Sequence, residues 1–220
     1  MKRPSVAAII PAYNEADTIA DVVRPLAASP FVDEVIVVSD GSTDGTEHVA
    51  RAAGARVERL AKRRGKGEAM RLGASRAQAQ VLAFFDADLI GLTPEHVERI
   101  LMPVIVGGRA MNIGIRDRGV FFTWLSHHLP LISGERAMRR DIFEAIPQEY
   151  LHGFMVESSL NFYCRSRRLR YGATDLSGLY IRRKFQKVPF ARAMVQYVGM
   201  FWQVGIAMLA VRLARLFGRF

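Results

Sequence analysis

One cysteine, two tryptophans and no acidic residue after Asp175 give a 220-residue chain its first exclusions. Cys164 alone cannot form an internal disulfide, so stability must come from a hydrophobic core, which a chain of this length can bury without covalent staples. The lone thiol, between Tyr163 and Arg165, reads as packing. Histidine is sparse, and His127, His128 and His152 show no metal-ligand spacing and read as loop or interface residues. Neither an internal repeat nor a low-complexity segment is present. Met1-Lys2-Arg3-Pro4 runs straight into a strand-like segment without the apolar stretch and small-residue site of a secretory signal, so a cytoplasmic location is expected.

The formal charge of +10 is concentrated in the tail, where Arg182, Arg183, Lys184, Lys187, Arg192, Arg212, Arg215 and Arg219 have no acidic counterpart. Between Arg192 and Arg212 the chain is uncharged and close to the length of a bilayer span, although two glutamines and two glycines weaken insertion. The flanking arginines, Tyr197 and Trp202 suit a membrane interface. An interfacial helix, a span and a helix packed on the domain or a partner all remain open, with membrane association through residues 190–220 expected. The basic residues frame apolar sequence and lack the aromatic interleaving of a base-stacking surface, so nucleic acid is not the expected partner.

Upstream, short apolar runs alternate with helical patterns. Strands are predicted over Val6 to Ile10, Glu34 to Ser39, Arg56 to Leu60, a run ending at Asp86, and Met111 to Ile115. Helices are predicted over Ala16 to Ala28, Thr46 to Ala53, Gly67 to Ala79, Glu95 to Val106 with Thr93 as cap, and Arg136 to Ala145. Alternation of this kind implies an α/β fold with a doubly wound, mostly parallel sheet. In such sheets ligands gather at the carboxyl ends of the strands, which is where the polar clusters fall.

Pro11-Ala12-Tyr13-Asn14-Glu15 follows the first strand, and Asp40-Gly41-Ser42-Thr43-Asp44-Gly45-Thr46 follows the second. Asp40 can accept hydrogen bonds from a base or ribose. Lys62-Arg63-Arg64-Gly65-Lys66-Gly67 opens a helix with cations and bare backbone, a cradle for phosphate or a base edge. Asp86-Ala87-Asp88 places two hard carboxylate ligands on a turn, suited to Mg²⁺ or Mn²⁺ that is also held by substrate phosphates. Each cluster alone reads as an ordinary turn; their joint occurrence at successive strand ends points to a nucleotide diphosphate.

In this order, Ile10-Pro11-Ala12-Tyr13-Asn14-Glu15, Val38-Ser39-Asp40-Gly41-Ser42-Thr43-Asp44-Gly45-Thr46, Gly65-Lys66-Gly67 and Asp86-Ala87-Asp88 resemble the family 2 nucleotide-sugar glycosyltransferases of the glycosyltransferase-A fold. The resemblance covers most of residues 5–190 and implies a hexosyltransferase. It implies that Asp40 contacts the nucleoside, that Asp86 and Asp88 hold ribose and a divalent metal, and that Pro11, Ala12, Tyr13, Glu15 and Lys66 line the donor site. Ser39 departs from the family, which often carries an aspartate there.

For the acceptor, Ser133-Gly134-Glu135-Arg136-Ala137-Met138-Arg139-Arg140-Asp141 resembles the acceptor-side segment of polyprenyl-phosphate sugar transferases. Ser133, Arg136, Arg139, Arg140, Arg116 and Arg118 are therefore expected to grip a phosphate, for which paired guanidinium donors are suited. A lipid phosphate brings its own anionic oxygen, whereas a hydroxyl needs a carboxylate to take its proton, for which Glu135 and Glu157 are the candidates beside Asp88 as the metal-holding catalytic residue. Salt bridges to the nearby arginines are the alternative role of both glutamates.

A second resemblance, through Leu131-Ile132-Ser133-Gly134-Glu135, Gly153-Phe154-Met155-Val156-Glu157 and Asp175-Leu176, is to glucosyl-3-phosphoglycerate synthases, which retain configuration and use a small phosphorylated acceptor. Those enzymes carry a metal-binding histidine in the segment corresponding to about Tyr180 to Arg183, where this chain has none. The expected organisation is a transferase domain over 1–188 and a membrane-associating helical tail over 189–220. The expected reaction is inverting sugar transfer to a polyprenyl phosphate, with the small-acceptor retaining enzyme and a non-catalytic membrane adaptor as alternatives. A nucleotidyltransferase would carry a Gly-rich basic triphosphate loop after the first strand, which Pro11 to Glu15 is not. Sugar, base and oligomeric state are not legible.

Overall fold

A computed structural model of the chain describes residues 3–116, 134–151 and 155–181. In chain order its strands are β1 (Val6–Ala12), β2 (Glu34–Asp40), β3 (Arg56–Leu60), β4 (Val81–Phe84), β5 (Leu89–Ile90), β6 (Met111–Arg116), β7 (Arg136–Arg139), β8 (Tyr171–Leu176) and β9 (Tyr180–Ile181). The helices are α1 (Ile19–Ala27), α2 (Thr46–Ala52), α3 (Lys66–Arg76), α4 (Pro94–Ile105), α5 (Arg140–Glu144) and α6 (Met155–Ser166). Seven strands join one sheet in the order β3-β2-β1-β4-β7-β6-β8, and β5 pairs with β9 apart from it. All pairings in the large sheet are parallel except those of β7, which runs antiparallel between β4 and β6.

The run Val6-Ala7-Ala8-Ile9-Ile10 is buried throughout because both faces of the sheet are covered. Alternation sorts its residues. Val6, Ala8 and Ile10 face a cluster built with Ile19, Val22 and Leu26 of α1 and Val97, Ile100 and Leu101 of α4. Ala7 and Ile9 face the opposite cluster, with Ala69 and Met70 of α3 and Val156, Leu160 and Cys164 of α6. Three layers result, with the sheet in the middle. Burial of the Cys164 thiol pushes its pKa up to about 12, in keeping with a packing role.

α4 begins where its sequence indicates: Thr93 Oγ1 accepts from His96 N–H, and His96 Nδ1 lies 3.3 Å from Thr93 N, a reciprocal cap with histidine in the place usually held by glutamate. α1 starts later than predicted. Asn14 takes a left-handed conformation (φ 53°), and residues 15–18 turn before the helix begins at Ile19.

The predicted helix from Arg136 to Ala145 is corrected. Residues Arg136–Arg139 form β7, and only Arg140–Glu144 are helical. Arg-Ala-Met-Arg has helix-forming residues and no β-branched one, but β4 and β6 present open hydrogen-bonding edges on either side, and pairing with both overrides that local preference. The tail of 189–220, the boundary near 188, and His127, His128 and His152 lie outside the described residues. Among the described residues no helix is long and apolar enough to cross a membrane.

Candidate active site

Strand direction gathers the polar clusters at one edge of the sheet. β1 ends at Ala12, β2 at Asp40, β4 at Phe84 just before Asp86, and β6 at Arg116. Antiparallel β7 starts at that same edge, with Arg136 opposite both Phe84 and Ile113. A cleft of about 410 Å³ opens there, lined by Pro11, Ala12, Tyr13, Glu15, Asp40, Arg63, Gly65, Lys66, Asp86, Ala87 and Asp88.

The two loops at the rim are stitched together. Ser42 Oγ accepts from Asn14 N–H at 3.1 Å, Thr46 Oγ1 from Glu15 N–H at 2.8 Å, and Asp44 Oδ2 from Ala16 N–H at 3.2 Å, while Asn14 Oδ1 accepts from Thr43 N–H at 2.9 Å. The segment from Ser42 to Thr46 thus holds the loop after β1 in place. Ser39, where the family resemblance leads one to look for an aspartate, is buried and donates its hydroxyl to Glu47 at 2.9 Å.

Beneath the cleft lies a cluster of paired charges. Lys66 Nζ donates to Asp86 Oδ1 at 2.6 Å and lies 3.5 Å from Glu157 Oε1. Arg116 approaches Asp86 Oδ2 at 3.7 Å and, through Nε, Glu135 Oε2 at 3.1 Å. Burial opposes the Lys66 charge, but Asp86 and Glu157 outweigh it and hold the ammonium protonated above its ordinary range. Burial likewise opposes ionisation of Asp86, and Lys66 and Arg116 overcome it, so its carboxyl titrates below the usual carboxylate range. Asp88 behaves in the opposite way. Burial, then the charges of Asp86 and Glu15, raise its pKa, so it carries a carboxylate that a cation would relieve.

Gly134 fits this packing because it has no side chain: a Cβ there would lie 2.5 Å from Asp86 Oδ1. Arg136 is 1 % exposed; burial lowers its pKa, and Glu157, Glu135 and Asp86 act against that. Glu135 is fully buried, and Glu157, near the start of α6, is 7 % exposed.

A model of the family described as "Glycosyl transferase family 2" matches residues 7–170. The chain belongs to glycosyl transferase family 2. Its relatives include the glucosyl-3-phosphoglycerate synthase of Mycolicibacterium paratuberculosis, 36% identical in an alignment of 194 positions that covers 71% of this chain and 58% of that protein. The dolichyl-phosphate beta-glucosyltransferase of Drosophila melanogaster is 36% identical in an alignment of 148 positions that covers 54% of this chain and 45% of that protein. The chain thus spans little more than half of the first relative and less than half of the second. Among solved structures, Mycobacterium tuberculosis glucosyl-3-phosphoglycerate synthase in complex with Mn²⁺, uridine-diphosphate-glucose and phosphoglyceric acid superposes with a TM-score of 0.77 at 27% identity, covering 94% of this chain and 79% of that one.

Within this family 2 domain, the structure brings Pro11, Ala12, Tyr13, Glu15, Asp40, Lys66, Asp86 and Asp88 to one cleft, and places Arg116, Glu135, Arg136 and Glu157 against its floor. It does not bring Arg139 and Arg140 there. Arg139 pairs with Val81 at the far end of β4, and its side chain binds Asp141. Arg140 donates to the carbonyls of Ala74, Ala77 and Ala79, fastening the chain after α3. The antiparallel course of β7 carries them away from the edge at which Arg136 starts. Arg136 itself is enclosed in the protein interior and does not line the cleft. Arg118 and Ser133 lie outside the described residues. Sequence alone does not single out Arg63, nor Asn14, Ser42, Asp44 and Thr46 as stitches; short polar side chains flanking a turn are the available signal for the latter.

Proposed function

We propose that the chain is a glycosyltransferase that moves a sugar from a nucleotide diphosphate donor to a small phosphorylated acceptor, in the manner of the glucosyl-3-phosphoglycerate synthases it resembles. The observation that carries this reading is the cleft itself, where Asp88, Lys66 and the Gly65 turn face the loops after β1 and β2. The donor nucleoside lies along Pro11 to Tyr13 and its diphosphate reaches the start of α3.

The residues fit a divalent cation. Asp88 is an electrostatically strained carboxylate at the cleft, next to Asp86, and a cation that keeps phosphate and water ligands needs only one or two such groups. Asp88, supported by Asp86, would hold Mg²⁺ or Mn²⁺, which supplies charge neutralisation for the departing nucleoside diphosphate. Lys66, fixed by Asp86 and Glu157, adds a permanent positive charge beside it. Of the two glutamates, Glu157 is the better candidate to meet an acceptor hydroxyl, since it keeps 7 % of its surface exposed whereas Glu135 has none and lies against Arg116. Glu135 is a structural partner in this reading.

The polyprenyl-phosphate acceptor is a second reading, favoured by the insect dolichyl-phosphate relative and by the uncharged, arginine-flanked stretch before Arg212. Incubation of the chain with UDP-glucose, Mn²⁺ and either phosphoglyceric acid or a polyprenyl phosphate tests the choice. A phosphorylated, water-soluble glucoside with retained configuration supports the main reading. A lipid-phase product with inverted configuration supports the second.

A further inference from the structure

The two residues that flank the loop after β2 are joined to each other. Ser39, fully buried near the end of β2, donates its hydroxyl to Glu47 Oε1 at 2.9 Å, and Glu47 sits in the first turn of α2. Residues 40–46 are thereby closed into a loop, with Asp40 lining the cleft at one end of it. A carboxylate can only accept, so the Ser39 hydroxyl has to be the donor in this pair, which leaves its lone pairs for the loop. There Ser39 Oγ accepts from Ser42 N–H at 3.3 Å. Ser42 Oγ in turn accepts from Asn14 N–H, and Thr46, the residue before Glu47, accepts from Glu15 N–H. Asn14 is the left-handed residue between Tyr13 and Glu15, both of which line the cleft. From the other side Glu47 is held by Arg59 Nε of β3 at 3.3 Å and by Arg51 at 3.7 Å.

We infer that Glu47 is a positioning residue for the cleft: through the Ser39 hydroxyl it closes the loop after β2, and so fixes the left-handed turn that sets Tyr13 and Glu15 in the cleft wall. The inference rests on the donor reading for its consequence but not for its geometry. It also accounts for the serine. An aspartate at residue 39 would point a second carboxylate at Glu47, and two carboxylates sharing one site repel, so the pair works with a single acid and α2 supplies it. An aspartate at 39 facing a glutamine at 47 would carry the same single charge, and could still accept from Ser42 N–H.

The test uses the full chain and its Ser39→Ala, Glu47→Ala, Ser39→Asp and Ser39→Asp/Glu47→Gln variants. Without any nucleotide, amide hydrogen exchange in the peptides that contain Asn14, Glu15 and Ser42 should be about fivefold faster in Ser39→Ala and Glu47→Ala than in the parent chain, with exchange in α4 unchanged. Unchanged exchange at Asn14 and Ser42 overturns the inference, and so does equal acceleration in α4, which reports general loosening. With UDP as probe in the presence of Mn²⁺, both alanine variants and Ser39→Asp should weaken binding by about five- to tenfold. Ser39→Asp/Glu47→Gln should bring binding back to within about twofold of the parent chain, because the two changes act on one pair. Parent-like binding in the alanine variants overturns the inference, and so does a double variant as weak as Ser39→Asp, since the pair would then act by shape and not by its single charge. Failure of the parent chain to bind UDP counts against the donor reading alone, and exchange at Asn14 and Ser42, with its recovery in the double variant, then decides the inference by itself.

Discussion

Asp86 and Asp88 lie two residues apart and do different work. Asp86 is neutralised by Lys66 and Arg116, whereas Asp88 is left with burial and like charges, which raise its pKa. A carboxyl whose folded pKa is raised favours the folded state at low pH, and that contribution is lost as pH rises through the folded value, above the ordinary 3.8. At neutral pH Asp88 therefore opposes folding until a cation offsets it. Asp88→Asn is expected to raise the Tm of the metal-free chain by about 2 °C while lowering metal-dependent turnover by about 10²–10³-fold. Scanning calorimetry and initial rates check both; an unchanged or lower Tm with full turnover would remove Asp88 from the proposed metal site. By the same sign, the Tm increment given by Mn²⁺ should fade on acidification at a higher pH than an unperturbed aspartate would give. These carboxylates were legible in the sequence because they follow an apolar run on a short turn. The division of labour between them was not, since it depends on Lys66 and Arg116 arriving from other elements.

At the scale of elements, β7 decides which arginines belong to the site. Its antiparallel insertion between β4 and β6 buries Glu135 and Arg136 beneath the cleft and sends Arg139 and Arg140 to the opposite edge of the sheet. A linear reading of the segment treats the three arginines alike, because sequence does not show that a helix-prone stretch will be claimed by two strand edges. Arg140→Ala should cost about 1–3 kcal/mol of stability, through the carbonyls of Ala74, Ala77 and Ala79 that it leaves unpaired, and leave kcat/KM near the parent value. Arg139→Ala, which removes only an exposed pair with Asp141, should change neither by more than about 0.5 kcal/mol in free-energy terms. A large rise in acceptor KM for either variant would return these arginines to the acceptor site. Gly134→Ala tests the other end of the same segment. Its methyl must displace the Asp86 carboxylate, so denaturant unfolding should show a loss of about 1–3 kcal/mol together with a fall in turnover. The helices and strands around this segment were legible where caps and apolar runs were clear, as at Thr93, β2 and β3. The start of α1 was displaced by the left-handed turn at Asn14, which the loop after β2 imposes through Ser42 and Thr43.

For the molecule as a whole, membership of glycosyl transferase family 2 and the layered fold follow from the ordered motifs, and both were legible because each motif marks the end of a successive parallel strand. The acceptor was not legible, because it depends on the half of the chain whose pattern loosens after β6 and on an apolar tail that lies outside the described residues. On sequence alone, the uncharged, arginine-flanked tail favours a lipid phosphate. The likeness to glucosyl-3-phosphoglycerate synthase structures supports the small phosphorylated acceptor more strongly. The central claim is sugar transfer from a nucleotide diphosphate donor to that acceptor, and it is tested most directly by following label from UDP-glucose in the presence of Mn²⁺ with phosphoglyceric acid, beside the Asp88→Asn chain as control. The expected result is a labelled, water-soluble phosphoglucoside formed by the parent chain and not by the variant. Labelled product that needs a polyprenyl phosphate and partitions into the lipid phase, or transfer undiminished in Asp88→Asn, would contradict it.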